Sequence, residues 1–389
     1  MNYSHKKVLR TITLLGFIFS LQVALTIYSN SSFLEQLIDS NYIGLFYAGG
    51  ALITLIGIYI TPRIITRLGT RNTLSLYALL TIISLLVLIL VQNTIVLLAA
   101  LGLYLVLGTL LYLTLDIIIE HFSKQSAVGK IRGYYLALVN LAYVIAPLFT
   151  GFILGRFGFP VLFAFSAILI LILFFAGFRI PNVSPSTAEK PIISMIRQVV
   201  QSKQLLAIFI SNFTLQFFYA WMVVYVPHYL HTIIGIPWGR LGLMFSISLL
   251  AFVLLQIPIG YSVDSWISEK KMLFIGHSIM GISTIIFGFF SGNTSFWVLV
   301  VLFFITRIGA SIIEISSDSY FFKSIDANHT HTIGLFRTMY PIAYIIAPLL
   351  ASLLFMTGIS YQTFFTILGI LSIIGGLPLL LIKKTNTGY

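Results

Sequence analysis

The chain has 389 residues, of which 59% are hydrophobic and only 8% are charged, and its mean hydropathy is +1.04. Soluble proteins carry about 25% charged residues, so the composition excludes this class and predicts a protein that lies in a lipid bilayer. The sequence contains no cysteine, which excludes disulfides and thiolate metal sites. It also lacks a glycine-rich phosphate loop and a set of three metal ligands, so no cofactor and no metal are expected.

Twelve apolar runs recur along the whole chain, each long enough to cross a hydrocarbon core of about 30 Å. The first follows Lys6, Lys7 and Arg10 but has no small-residue cleavage site, so we predict a retained helix and not a signal peptide. The runs lie at roughly 8–28, 41–61, 73–92, 95–119, 133–154, 160–180, 204–227, 239–261, 272–290, 295–319, 334–356 and 361–382.

Basic residues are concentrated on one side of the predicted topology. An even number of spans places both termini on the same side, and all but three of the 22 Lys and Arg residues fall there, the exceptions being Arg156, Arg240 and Arg307. By the positive-inside rule, both termini are predicted to be cytoplasmic, in a multi-pass protein of the plasma membrane. Topology therefore explains the net charge of +12, and no nucleic-acid partner is expected.

One long polar connection divides the spans into six and six. It predicts a first six-helix bundle at residues 1–180, a cytoplasmic linker at 181–203 and a second six-helix bundle at 204–389. Apolar residues on one face of the linker predict a short interfacial helix, although a plain long loop is the alternative.

The two halves repeat one another. The stretch NLAYVIAPLFTG at 140–151 recurs as PIAYIIAPLLAS at 341–352, and the acids Asp116 and Glu120 correspond to Glu314 and Asp318. A register kept over several helices predicts two copies of one six-helix bundle, related by an axis along the membrane normal.

Two further stretches, PRIITRLGTR at 62–71 and GYSVDSWISEKK at 260–271, resemble the signature G-x-x-x-D-x-x-G-[RK]-[RK] of the major facilitator superfamily. The second keeps its acid, whereas the first has Pro62 and Thr66 in place of Gly and Asp. The resemblance covers the whole chain. It implies an all-α membrane protein with twelve transmembrane helices in two pseudo-symmetric six-helix bundles.

In that family the signature loop latches the cytoplasmic side. The resemblance implies that Asp264 faces the start of the fifth helix near Arg132, where a helix N-terminus favours an anion, and that Arg67 faces Glu120. Solvated loop charges are the alternative. The other predicted gate residues are Arg71, Lys270, Lys271, Asp318 and Arg337.

The repeated Ala-Pro-Leu stretch resembles a second signature, which is associated with the drug:proton antiporter branch. Small residues allow close helix packing, and proline bends a helix. The resemblance therefore implies a packing hinge, formed by Ala146, Pro147, Gly151, Ala347 and Pro348.

Ionisable groups inside a membrane are costly and usually functional. Arg307 lies roughly 16 Å into the tenth span, counted from Phe296 at about 1.5 Å per residue. It is predicted to contact substrate or an anion, to pair with Glu314, or to be a lipid-side charge. Glu314 and Asp116 are candidates for a coupled proton, or for the gate. Further candidates to line the substrate site are Gln22, Asn140, Asn212, Gln216 and Trp221.

These observations predict a secondary active transporter that works by alternating access, most simply a proton-coupled exporter of small amphipathic compounds. Alternatives are an organic-anion transporter that uses Arg307, a membrane-embedded enzyme, and a sensor or scaffold with a degenerate transporter fold. The enzyme alternative is disfavoured because the acids follow the two-fold repeat. The expected partners are a small-molecule solute, protons and the lipid bilayer, and the chain is expected to be a monomer.

Overall fold

A computed structural model describes residues 3–122, 128–183, 197, 199–265, 269–290, 294–324, 336 and 338–381. Twelve long helices follow one another in this part of the chain. They are α1 Tyr3–Ile27, α2 Ile43–Leu68, α3 Thr70–Leu90, α4 Thr94–Phe122, α5 Val128–Arg156, α6 Phe159–Gly177, α7 Lys203–His228, α8 Trp238–Ser265, α9 Glu269–Gly288, α10 Phe296–Ser324, α11 Met339–Met356 and α12 Tyr361–Gly376. A short helix, Asn30–Glu35, lies between α1 and α2, and the π-helical turn Tyr229–Ile233 extends α7.

Eleven of these helices contain a segment that is long and apolar enough to cross a membrane, and α12 does so together with the 3₁₀ turn Leu377–Leu381 that follows it. The predicted spans and the predicted fold class are therefore confirmed. Lipid offers the backbone no hydrogen-bonding partner, so each N–H and C=O group must be satisfied inside its own helix. The apolar composition of these segments consequently dictates both their location and their helical structure.

The chain forms two compact units, residues 1–187 with 236–246 and residues 188–235 with 247–389. In the first unit, α1 packs against α5 and α6, α3 packs against α4 and α6, and α2 packs against α4. The first residues of α8 belong to this unit because they pack closely on α5. A methyl group built on Gly151 would lie only 3.1 Å from the Cα of Gly242, so the two helices meet with almost no side chain between them.

In the second unit, α9 lies between α10 and α12, and α7 packs against α10, α11 and α12. Pairs of glycines mark both crossings of α9. A methyl group on Gly281 would lie 2.6 Å from the carbonyl oxygen of Gly369 in α12, and one on Gly276 would lie 3.0 Å from that of Gly309 in α10. Close backbone approach at small residues is a main source of helix association in membranes.

The first signature stretch is helical, which corrects its prediction as a loop. Helix α2 continues through Pro62 to Leu68, and α3 begins at Thr70. Gly69 alone makes the turn, with a φ of 81° that favours glycine. A proline inside a membrane helix is tolerated, so Pro62 does not end α2.

The residues after the sixth span hold this turn in place. The side chain of Asn182 donates to the carbonyl of Leu68 at 3.0 Å and accepts from the backbone N–H of Arg71 at the same distance. Val183 accepts from the backbone N–H of Thr70 at 2.8 Å. The side chain of Asn182 and the carbonyl of Val183, at the start of the predicted linker, therefore bind the backbone of the α2–α3 turn, a contact that no sequence motif indicated.

Candidate functional site

The polar side chains of α10 form one stripe along the helix. Arg307, Ser311, Glu314 and Asp318 are spaced by four, three and four residues, which places them on one face. The exposure of this face changes along its length. Arg307 is 1% exposed and Ser311 is fully buried, whereas Glu314 and Asp318 are exposed. The same helix face is therefore enclosed at one end and accessible at the other.

Arg307 lies over two aromatic rings in the second unit. Its guanidinium carbon is 4.6 Å from the ring centre of Phe303 and 5.5 Å from that of Phe218 in α7, distances at which the ring faces attract a cation. The Nε and Nη2 atoms of Arg307 have no hydrogen-bond partner among the described residues. Because the side chain is buried in protein, it does not face lipid.

Glu314 lies two turns further along α10, about 10 Å from Arg307 along the helix axis. Its Oε2 atom accepts a hydrogen bond from the hydroxyl of Tyr219 in α7 at 2.9 Å. Between these two described residues, Arg307 and Glu314, no ion pair is formed. The structure thus separates a buried cation and an exposed acid on one helix face.

The other predicted site residues of α7 bind groups inside the second unit. Asn212 donates to the carbonyl of Phe336 at 3.2 Å, and Gln216 donates to the Asn212 side-chain oxygen at 3.3 Å. The indole N–H of Trp221 donates to the carbonyl of Ala347, and its ring stacks on Phe364 at 4.1 Å. Trp221 is fully buried, so its present contacts are structural.

Gln22 lies in a buried hydrogen-bonded cluster of the first unit. Its side-chain amide donates to the hydroxyl of Tyr104 at 2.7 Å and to that of Ser166 at 2.9 Å. Tyr104 also shares a hydrogen bond of 2.7 Å with Thr26. The cluster therefore joins α1, α4 and α6. Two further predicted residues of this unit, Asp116 in α4 and Asn140 in α5, are half-buried.

Replacing Gln22 by leucine is expected to destabilise the first unit by about 1–3 kcal/mol, because buried hydroxyl groups lose their partner. The melting temperature of the purified protein measures this effect. Gln204→Leu is the matched control, since Gln204 is exposed at the start of α7. An unchanged melting temperature together with lost substrate binding would instead support the lining role that the sequence predicts for Gln22.

Comparisons with known proteins agree with this architecture. The family model of the Major Facilitator Superfamily matches residues 12–240 and 229–388. The chain belongs to the major facilitator superfamily. It is thus a secondary transporter that acts on small-molecule solutes across a membrane. No match was found among curated proteins.

Among solved structures, this major facilitator protein is similar to one described as the in meso crystal structure of the POT family transporter PepTSo. The TM-score is 0.76 at 13% sequence identity, and the match covers 96% of this chain and 97% of that one. At this identity the likeness shows the fold and nothing about the substrate.

The predicted hinge residues of the transporter are all buried, but the two copies make different contacts. In the first copy, Pro147 and Gly151 lie against the glycines at the start of α8. In the second copy, Trp221 and Tyr225 of α7 donate to the carbonyls of Ala347 and Pro348. The repeated sequence therefore meets a neighbouring backbone in one unit and accepts hydrogen bonds from aromatic side chains in the other.

The predicted gate residues of this superfamily member are described only in part. Arg67, Lys271 and Asp318 are exposed, and Arg71 and Lys270 are half-buried. The side chains of Asp264, Glu120, Arg132 and Arg337 lie outside the described residues. The gate pairings accordingly stay predictions.

His277 was not predicted as a site residue, although it is an ionisable group inside a span. It is 1% exposed in α9, and its Nδ1 atom lies 2.8 Å from the carbonyl oxygen of Ser372. A carbonyl only accepts, so Nδ1 carries a proton. In the neutral ring Nε2 is then the acceptor for the hydroxyl of Ser211, which lies 2.8 Å away. The argument that ionisable groups inside a membrane are usually functional applies to histidine as well, and it would have identified His277.

Proposed function

We propose that the protein couples the movement of protons to the export of small amphipathic organic compounds by alternating access. The observation that carries the proposal is Glu314, an exposed acid within a membrane-spanning helix that accepts a hydrogen bond from Tyr219. Acids inside membrane spans are costly and typically belong to substrate or proton pathways. Both termini are proposed to be cytoplasmic, in the plasma membrane, on the strength of the basic-residue distribution.

Glu314 would couple the two movements through its charge. The ionised carboxylate needs water or a strong donor, and enclosing it unpaired in the membrane interior is expensive. Protonation removes the charge and leaves a neutral group that can be enclosed at much lower cost. The conformation that encloses Glu314 would therefore bind the proton more tightly than the conformation that exposes it. Proton binding and release would shift the equilibrium between the two conformations by this difference in affinity.

The aromatic side chains of α7 and α10 support an amphipathic substrate. Ligand sites combine apolar and aromatic walls with a few polar groups that fix orientation. Around Glu314 and Arg307 the structure places Tyr219, Phe218 and Phe303. This combination suits a compound with an aromatic body and one polar group.

Flux through proteoliposomes tests the proposal. A panel of amphipathic compounds is measured with and without an imposed pH gradient, and at least one is expected to move uphill only with the gradient. Movement that is indifferent to the gradient would contradict proton coupling. Binding of a partner protein without movement of any solute would favour a sensor or scaffold instead.

A further inference from the structure

We propose that Arg307 binds the anionic group of the transported compound, and that this group is a carboxylate or a similar planar anion. This names the substrate class and rests on the proposed function only for the transport step. Its binding step is tested separately. The site consists of Arg307, the hydroxyl of Ser311 and the two flanking rings of Phe218 and Phe303.

The unpartnered atoms of Arg307 are the first reason. Nε and Nη2 lie on one edge of the guanidinium, and their N–H groups point in parallel. That edge matches the two oxygens of a carboxylate, which it binds through two parallel hydrogen bonds. Within the described part of the chain these two nitrogens have no partner, although the side chain is only 1% exposed.

The free-energy cost of burying the Arg307 charge also supports an anion site. A buried charge without a partner destabilises a protein, and breaking a buried pair has the same effect. The rings of Phe303 and Phe218 recover part of this cost through their faces, but they satisfy no N–H group. If Arg307 served packing alone, an apolar residue of similar length would fill the same space without the free-energy cost of burying a charge.

Ser311 adds a third donor at the same place. Its hydroxyl oxygen is buried, has no partner among the described residues, and lies one turn from Arg307 on the same face of α10. The face is exposed two turns from Arg307, at Glu314, and enclosed at Arg307 itself. An anion that reached the exposed part of the stripe would therefore find its strongest donors at the enclosed end.

The flanking rings restrict the rest of the ligand. The guanidinium carbon lies over the rings of Phe303 and Phe218, at 4.6 and 5.5 Å from their centres. An apolar body attached to the anion would contact these side chains and not water. The ligand class that fits is an amphipathic organic anion, with an aromatic or aliphatic body and one carboxylate.

Binding of a matched pair of probes to the purified full-length protein tests the proposal. The probes are 2-naphthoate and its neutral amide, 2-naphthamide, which share a body and differ in charge. The wild type is expected to bind the carboxylate about 10- to 100-fold more tightly than the amide, the range of charge-assisted hydrogen bonds. Arg307→Met should abolish the preference, and Arg307→Lys should keep a small part of it. Gln204→Leu, at an exposed position at the start of α7, should retain it in full.

A second measurement separates binding from packing. In the absence of probe, Arg307→Met is expected to raise the melting temperature, because it removes a buried unpaired charge at nearly constant side-chain length. A structural arginine predicts a lower melting temperature. No preference for the carboxylate in the wild type, or an equal preference in Arg307→Met, would overturn the proposal.

The two proposals fail in different ways. Substrate exchange without a pH gradient does not depend on proton coupling, so a carboxylate preference in exchange would survive failure of the Glu314 proposal. Conversely, transport of uncharged compounds driven by a pH gradient would survive failure of the Arg307 proposal.

Discussion

Glu314→Gln is expected to abolish transport that is driven by a pH gradient while leaving exchange of substrate across the membrane intact. Glutamine has the shape of protonated glutamate, and its amide oxygen can still accept from Tyr219, which now lies 2.9 Å from Oε2. The variant should therefore fold and bind substrate. It cannot release a proton, so uphill transport should fall about 100-fold, to the level without a gradient.

Asp318→Asn provides the matched control for this experiment. Asp318 is the next acid on the same face of α10 and is also exposed. We expect its replacement to leave gradient-driven transport within a few-fold of wild type, because Glu314 and not Asp318 is the proposed proton carrier. Tyr219→Phe should give an intermediate loss, since it removes only the hydrogen bond. Gradient-driven transport by Glu314→Gln at the wild-type rate would show that another group carries the proton.

Gly309→Ala is expected to be strongly destabilising. The added methyl group would lie 2.5 Å from the backbone nitrogen of Met280 and 2.8 Å from the carbonyl oxygen of Gly276. Both atoms belong to the backbone of α9, so no side-chain rotation can relieve the overlap. Overpacking typically costs about 1–3 kcal/mol and sometimes more, and we expect the upper end here because two helices must separate.

Gly108→Ala is the control for this substitution. Gly108 lies in the interior of α4, and nothing stands within 4 Å of a methyl group built there. Alanine favours a helix over glycine by about 1 kcal/mol, so this variant should be as stable as wild type or slightly more so. The two melting temperatures, measured in the same detergent, should differ in opposite directions from that of the wild type. Equal melting temperatures would mean that α9 and α10 are not held by close backbone contact.

Pattern and composition were sufficient to predict the twelve spans and the fold class. A long run of apolar residues must be helical in lipid, and its length shows whether it can cross the hydrocarbon core. Predicting the spans therefore requires no tertiary information. The repeat around Pro147 and Pro348 could also be recognised from the sequence, because both copies keep the Ala-Tyr and Ile-Ala-Pro-Leu residues at the same place in a helix. The contacts of the two copies could not be predicted, because similar residues pack against different neighbours in the two units.

The candidate site was predictable in its residue types but not in its pairing. Helical spacing is enough to place Arg307 and Glu314 on one face of α10. Spacing leaves open whether they pair, and the structure shows Glu314 with Tyr219 and Arg307 over two rings. Gln22 and Trp221 were plausible lining residues by type. In the structure both are buried and hydrogen-bonded within their own units.

The sequence alone therefore determined which segments cross the membrane and which polar residues share a helix face, because both follow from local composition and helical periodicity. Only the tertiary structure decided which part of each face is covered. The apolar positions of a membrane helix carry no signal that separates a neighbouring helix from lipid, and the polar stripe of α10 does not show where along its length it is covered. The enclosure of Arg307, the exposure of Glu314 and the glycine contacts of α9 therefore emerge only when the helices pack.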